Sequence, residues 1–151
     1  MLQRIQTLYL VLAGICLTLA FLMDYVVMSV DEMNYLFNVN GFVVNGIDIN
    51  RFPYRIAVPL CAALSFGAIA FFKNRKTQLL LCRISYILVL AIIVLVFTNA
   101  MTFAESVGAT PENISYKAGF FMPVPALVFL ILAQRGIRKD EALIRSIERL
   151  R

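Results

Sequence analysis

Hydrophobic positions in this chain gather into four long segments that are almost free of charge, and they cover residues 5–23, 56–72, 79–104 and 118–134. Each segment is close to the roughly 20 residues that a helix needs to cross the hydrocarbon core of a bilayer. The pattern predicts an all-α membrane protein whose four transmembrane helices form an up-down bundle. Because no long polar region remains, we expect a single integral membrane domain over residues 1–151.

The first long connection carries a different pattern. It contains two Asn-Gly pairs, Asn40-Gly41 and Asn45-Gly46, and Asn-Gly is the preferred centre of a type I′ hairpin turn. We therefore predict a small extracytoplasmic β-meander with strands at 34–39, 42–44 and 47–50, the whole element covering about 34–50. Ribbons of this size are marginal when isolated, so its apolar face must rest on something.

Two interpretations of this β-element are open. It caps the outer ends of the helices or the second outer loop, or it binds a partner. In the second case, the predicted contact residues are Tyr35, Phe37, Phe42 and Val44.

After the fourth segment, residues 136–151 consist of strong helix formers and predict a cytoplasmic C-terminal helix. Apolar residues share one face of this helix, and Arg138, Arg145 and Arg149 lie near the opposite face. The helix is a solvated extension resting on the bundle, an interfacial helix held by anionic lipid, or a surface that docks on a partner. The three arginines are the predicted contacts in the last case.

Asp140 interrupts the apolar stripe of this C-terminal helix. A carboxylate at such a position requires a partner, and the short basic connection after the second segment offers Lys73, Arg75 and Lys76. We predict that one of these three residues pairs with Asp140.

Small residues in the second segment, Ala63 and Gly67, have the spacing that lets helices approach closely in lipid. Packing within the bundle is the favoured interpretation, and a dimer interface is the alternative. Proline at 59, 123 and 125 predicts bends towards the outer ends of two helices.

Charge distribution predicts the orientation. The chain has 14 Lys and Arg residues, of which eleven fall at the termini, in the short connection or at position 83, and three in the two longer connections. Positive residues collect on the cytoplasmic side, so we expect both termini to be cytoplasmic. The same arrangement accounts for the net charge of +5, because these basic residues set the orientation of the chain in the lipid bilayer. We therefore expect the bilayer, and not nucleic acid, as the partner of the basic residues.

Reactive groups are sparse. The chain has no histidine, and its three cysteines are scattered singly through the segments. No carboxylate lies within the four segments as delimited above. We therefore predict a protein that is not an enzyme, with no catalytic, cofactor or metal site.

The two ends of the chain, MLQRIQTLYL and IRKDEALIRSIERLR, resemble the opening and closing stretches of a domain-of-unknown-function family of bacterial four-span inner-membrane proteins. The resemblance implies location in the bacterial inner membrane, and it implies no activity. The layout also resembles that of claudin-type proteins in shape alone, because the outer cysteine pair and the tryptophan motif of those proteins are missing.

These observations lead to two hypotheses. The first is a non-enzymatic accessory or scaffolding subunit of an inner-membrane assembly, which contacts a membrane-protein partner or further copies of itself through the β-element and the C-terminal helix. The alternative is an oligomeric transporter or pore for a small solute.

Overall fold

The computed structural model describes residues 2–30, 33–44, 47–51, 54–72 and 74–149, with side chains for 5–30, 33–44, 54–72 and 74–143. Four long helices pack side by side: α1 (Leu2–Leu22), α2 (Tyr54–Ala70), α3 (Arg75–Ser106) and α5 (Pro123–Arg149). Each contacts its two neighbours in the ring order α1, α2, α3, α5. A single-turn helix, α4 (Ala118–Phe121), precedes α5.

Three helical stretches of the described chain are long and apolar enough to cross a membrane: Ile5–Leu22, Arg75–Ser106 and Ala118–Leu143. Helix α2 is apolar but shorter, with 17 residues. The prediction of a largely helical chain with membrane-capable helices is confirmed at this level.

Buried residues recur at alternating intervals of four and three along α1, α2 and α5, and along α3 as far as Val96. This spacing is the seam of helices packed nearly side by side. On α1 and α5 the seams run antiparallel, and they end together at Gln6 and Asp140. The seam residues are Gln6, Leu10, Ala13, Leu17 and Ala20 on α1, and Ala126, Leu130, Ala133, Ile137 and Asp140 on α5. Two polar seam residues, Ser65 on α2 and Ser85 on α3, lie 3.1 Å apart between their hydroxyl oxygens.

Close approach of helices depends on glycine at positions other than those predicted. A Cβ atom at Gly14 would lie 2.5 Å from the ring of Phe66, so α1 and α2 meet there. By contrast, a Cβ at Gly67 would meet nothing within 4 Å, and Ala63 is exposed. The favoured interpretation of Ala63 and Gly67 as packing residues within the bundle is therefore wrong, because these residues lie on the outer side of α2.

Proline shapes the two predicted helices differently. Pro59 lies within α2, which continues as one helix on both sides of it. The prolines at 123 and 125 fall in the first turn of α5, where a missing N–H costs no helical hydrogen bond. Helices α4 and α5 are separated only at Met122, whose backbone keeps helical dihedrals, so the bends remain a prediction.

At one end of the helices lies a five-stranded antiparallel sheet in the order β4-β3-β2-β1-β5. Its strands are β1 (Val26–Val30), β2 (Met33–Asn38), β3 (Gly41–Val44), β4 (Ile47–Arg51) and β5 (Ile114–Tyr116). We call this end of the molecule the sheet end, and the opposite end, where α1 and α3 begin, the tail end. The predicted meander corresponds to β2, β3 and β4.

The turn between β2 and β3 differs by one residue from the prediction. Asn38 pairs with Gly41 at the end of the ladder, so the two-residue turn is Val39-Asn40 and not Asn40-Gly41. The Asn38 side chain stabilises it by accepting a hydrogen bond from the Asn40 backbone N–H at 2.9 Å. Gly41 has a φ of 114°, which a residue with a Cβ rarely adopts. The second predicted turn, Asn45-Gly46, lies outside the described residues.

Candidate functional site

An aromatic cluster joins the sheet to the helices at the sheet end. The rings of Phe37 and Phe42 stack with centroids 4.3 Å apart, and the ring of Phe42 stacks on Phe103 of α3 at 3.7 Å. Tyr35 meets the same Phe103 ring at 5.6 Å, and Tyr54 of α2 meets Phe37 at 6.0 Å. Contacts of this kind add to the stabilisation from buried area, so the sheet is fixed to both helices.

Hydrogen bonds stabilise the parts that this cluster joins. The Asn99 side-chain amide of α3 donates to the Tyr54 hydroxyl at 2.6 Å. The backbone of Tyr25 donates to the Phe37 carbonyl and accepts from the Lys117 N–H, at 2.8 and 2.9 Å. Burial, together with the neighbouring Tyr54, raises the pKa of the Tyr25 phenol, which therefore stays neutral.

The four aromatic and apolar residues predicted to bind a partner share the inner face of the sheet. Phe37 and Phe42 are 0% and 1% exposed, and Tyr35 and Val44 are half-buried and paired with each other. Of the two interpretations left open for the β-element, these contacts match the cap on the helices. A partner that docks on the intact sheet would meet its other face.

That outer face carries an apolar row formed by Val27, Leu36 and Val43. The three residues face each other across adjacent strands, since Val27 pairs with Leu36 and Leu36 pairs with Val43. All three are only half-buried. The sequence indicates which residues of one strand share a face, because side chains alternate along a strand. It does not indicate which of the two faces packs on the helices.

At the tail end, Asp140 is 7% exposed, and its partner is Gln6. The Gln6 side-chain amide donates to Asp140 Oδ2 at 2.6 Å. The prediction of a Lys73, Arg75 or Lys76 partner is therefore wrong for the described residues, although the side chain of Lys73 lies outside them. Position 140 continues the buried seam of α5 and so faces Gln6 on α1.

Three buried polar atoms at this part of the molecule have no hydrogen-bond partner among the described residues: Asp140 Oδ1, Gln134 Nε2 and Arg75 Nη1. Two of them belong to α5 and the third to the start of α3. Buried polar atoms without partners are costly and rare. The tail end is therefore where the described residues leave buried polar atoms without partners, whereas the buried hydroxyls of Ser65 and Ser85 are hydrogen-bonded.

The predicted basic contacts of the C-terminal helix lie on a direct continuation of α5, which runs unbroken to Arg149. Arg138 is exposed beside the fully buried Ile137. The side chains of Arg145 and Arg149 lie outside the described ones. The structure thus places Arg138 on the free side of a helix whose opposite side packs on α1.

The described residues contain no group of three or more His, Cys, Asp and Glu side chains that could hold a metal ion. Cys61 and Cys82 are buried, and the Cys61 carbonyl accepts hydrogen bonds from the Ser65 and Ser85 hydroxyls at 2.9 and 3.3 Å. These hydroxyls therefore join α2 to α3 and are occupied by structural contacts.

Comparison with known proteins gives one result that covers almost the whole chain. No curated protein and no solved structure matches it. A family model matches residues 2–150, which agrees with the resemblance of the two ends to a family of unknown function. The chain belongs to the family described as Domain of unknown function (DUF4293).

Proposed function

We propose that the chain is a multi-pass protein of the bacterial inner membrane with four spans and both termini on the cytoplasmic side. Three membrane-capable helices support this proposal, and the 17 residues of α2 fall at the lower end of the length that a span requires. Eleven of the 14 basic residues lie at the termini, in the 73–76 connection or at position 83. This distribution supports the orientation.

In that setting, the protein is a non-enzymatic accessory or scaffolding subunit. The observation that carries this proposal is the anchoring of the sheet by Phe37, Phe42 and Phe103. Anchoring orients the opposite face, with its Val27, Leu36 and Val43 row, away from the helices. A fixed, half-exposed apolar row is typical of a contact surface. Its partner is the extracytoplasmic part of another membrane protein, and the C-terminal helix is the second contact.

Neighbouring residues on the two faces of β2 provide a matched test. A photo-crosslinking amino acid is placed at Leu36, on the outer face, or at Phe37, on the inner face, in the full chain in cells. We expect Leu36 to give an adduct with a second membrane protein and Phe37 to give none. The scaffold proposal loses its basis if Leu36 yields only the monomer, while an adduct of two copies identifies a homo-oligomer as the assembly.

One observation favours the alternative of an oligomeric transporter or pore. Asp140 is a buried carboxylate on a membrane-capable helix, and one of its oxygens has no partner among the described residues. Ionisable groups in such positions are functional candidates. The sequence pattern marks Asp140 as an interruption of an apolar stripe, and this residue follows the predicted fourth segment, which ends at residue 134.

Flux measurements in liposomes separate the two functions. Saturable solute flux by the purified protein that disappears in Asp140→Asn supports the transporter. Absence of flux for both the wild-type protein and the variant, with the Leu36 adduct present, supports the scaffold.

A further inference from the structure

The rim of the molecule at the sheet end contains an open cleft of about 330 Å³. It lies between the end of α1, the turn that joins β2 to β3, and the first turn of α2. The residues that define its chemistry are Leu22, Met23, Asp24, Asn38, Asn40 and Arg55. Its volume falls in the range of small-molecule sites, which runs from about 300 to 1,000 Å³.

Opposite charges line this cleft without neutralising each other. Asp24 and Arg55 are both exposed, and neither side chain makes an ion pair or hydrogen bond with another described side chain. The Asp24 backbone carbonyl accepts a hydrogen bond from the Gly119 N–H at 3.1 Å, which holds the main chain at this position and leaves the carboxylate exposed. The cleft therefore offers one anionic and one cationic group to a ligand.

Polar groups complete the lining of the cleft. Asn38 and Asn40 are half-buried on the same hairpin turn, and the hydrogen bond from the Asn40 N–H to Asn38 Oδ1 holds this turn in place. An Asn side chain supplies both donors and an acceptor. A ligand that carries both a positive and a negative group, with no net charge, is the chemical complement of this lining.

Apolar residues continue from the cleft along α1. Leu22 is 72% exposed and Met23 38% exposed at its edge. Leu8, Ile15, Leu19 and Leu22 are separated by intervals of seven, four and three residues, so they form one exposed stripe on α1 that leads away from the cleft. A ligand with a long apolar part would lie along this stripe.

We propose that the cleft binds the headgroup of a zwitterionic phospholipid with a primary ammonium group, as in phosphatidylethanolamine. Asp24 accepts hydrogen bonds from the ammonium, Arg55 binds the phosphate, and the acyl chains lie along the Leu8–Leu22 stripe. Guanidinium groups suit phosphate because their N–H donors are arranged as a fork. A free amino acid shares the two charges but not the apolar part, and the stripe favours the lipid. This inference rests on the proposed membrane location.

The test compares lipids that differ only at the ammonium group. The full chain is purified in detergent, delipidated, and titrated with phosphatidylethanolamine or with phosphatidylcholine of the same acyl chains, and bound lipid is counted by native mass spectrometry. The quaternary ammonium of phosphatidylcholine has no N–H to donate to Asp24. We expect phosphatidylethanolamine to bind about tenfold more tightly, the size of effect typical of a hydrogen bond to a charged group.

Variants assign the effect to the cleft. In Asp24→Asn, we expect the two lipids to bind within about twofold of each other, and in Arg55→Gln we expect both to bind about tenfold more weakly. Glu105→Gln and Lys117→Gln are matched controls, because both residues are exposed at the same end but do not line the cleft. They should retain the wild-type preference.

Three outcomes would overturn the proposal. The first is equal binding of the two lipids by the wild-type protein, and the second is an unchanged preference in Asp24→Asn. The third is displacement of the bound lipid by free glycine or phosphoethanolamine at comparable concentrations, which would assign the cleft to a soluble zwitterion. Co-sedimentation of the protein with vesicles tests the membrane location separately. Protein that sediments with vesicles but shows no lipid preference overturns only the cleft proposal.

Discussion

At the scale of single residues, Phe42 is the link between the sheet and the helices. Its ring lies between those of Phe37 and Phe103, and the side chain is 1% exposed. Val43, the next residue, points to the other face and is half-buried. Adjacent residues on one strand therefore have opposite roles, one in attaching the sheet and one in its free surface.

Replacing Phe42 by Ala should destabilise the protein by about 3–5 kcal/mol, because a large buried side chain is lost and the stack between β2 and α3 is interrupted. Thermal unfolding in detergent, followed by circular dichroism, measures the loss. Val43→Ala serves as the matched control and should have a much smaller effect. Equal losses for the two variants would show that the sheet is not held through its inner face.

Asp140 shows where residue-level reasoning from the sequence fails. The charge interrupts an apolar stripe, and this pattern indicated that a partner exists. Its identity could not be read from the pattern, because Gln6 is 134 residues away in the chain and meets Asp140 only when α1 and α5 align. The pattern indicated a basic partner for the Asp140 carboxylate. The amide of Gln6 instead supplies the hydrogen-bond donor that this carboxylate requires.

At the scale of elements, glycine positions decide how closely segments approach. A Cβ at Gly119 would lie 2.5 Å from the Asp24 carbonyl oxygen and 2.7 Å from that of Met23, and these backbone atoms have little freedom to move. Gly119 thus lets α4 rest directly on the end of α1. Gly67, on the free side of α2, has no such neighbour.

The two glycines should therefore respond to alanine with opposite signs. Gly119→Ala should lower the unfolding temperature, since the backbone of residues 23–24 must shift. Gly67→Ala should raise stability by about 0.5–1 kcal/mol, because alanine is the better helix former and no contact opposes it. Thermal melts of the two single variants compare them directly, and a destabilised Gly67→Ala protein would contradict the placement of this residue on the free side.

The strands show which elements a sequence pattern reveals. Strands β2, β3 and β4 were predicted because Asn-Gly pairs mark their ends, although the first turn lies one residue earlier than expected. Strands β1 and β5 were not predicted. Residues 26–30 follow the first hydrophobic segment closely and carry no turn signal of their own, and β5 has three residues, too few for an alternating pattern.

At the scale of the whole molecule, the positions of the four helices followed from hydrophobic segments, since the need to bury or embed long apolar stretches is a property of each segment alone. The contacts between segments did not follow. Gln6 with Asp140, Phe42 with Phe103 and Asn99 with Tyr54 each join residues at least 45 positions apart. Such pairs depend on which helix faces are adjacent, and one sequence does not specify this.

The pairing of β1 with β5 has a consequence for how the protein is made. Val26 lies opposite Tyr116 in the ladder, so one edge of the sheet is contributed by a segment that leaves the ribosome long after the other four strands. Until that segment arrives, β1 is an unprotected strand edge, available to other chains. We therefore expect the nascent protein to depend on prompt synthesis of its last third, and truncation before residue 114 to favour aggregation over a smaller folded form.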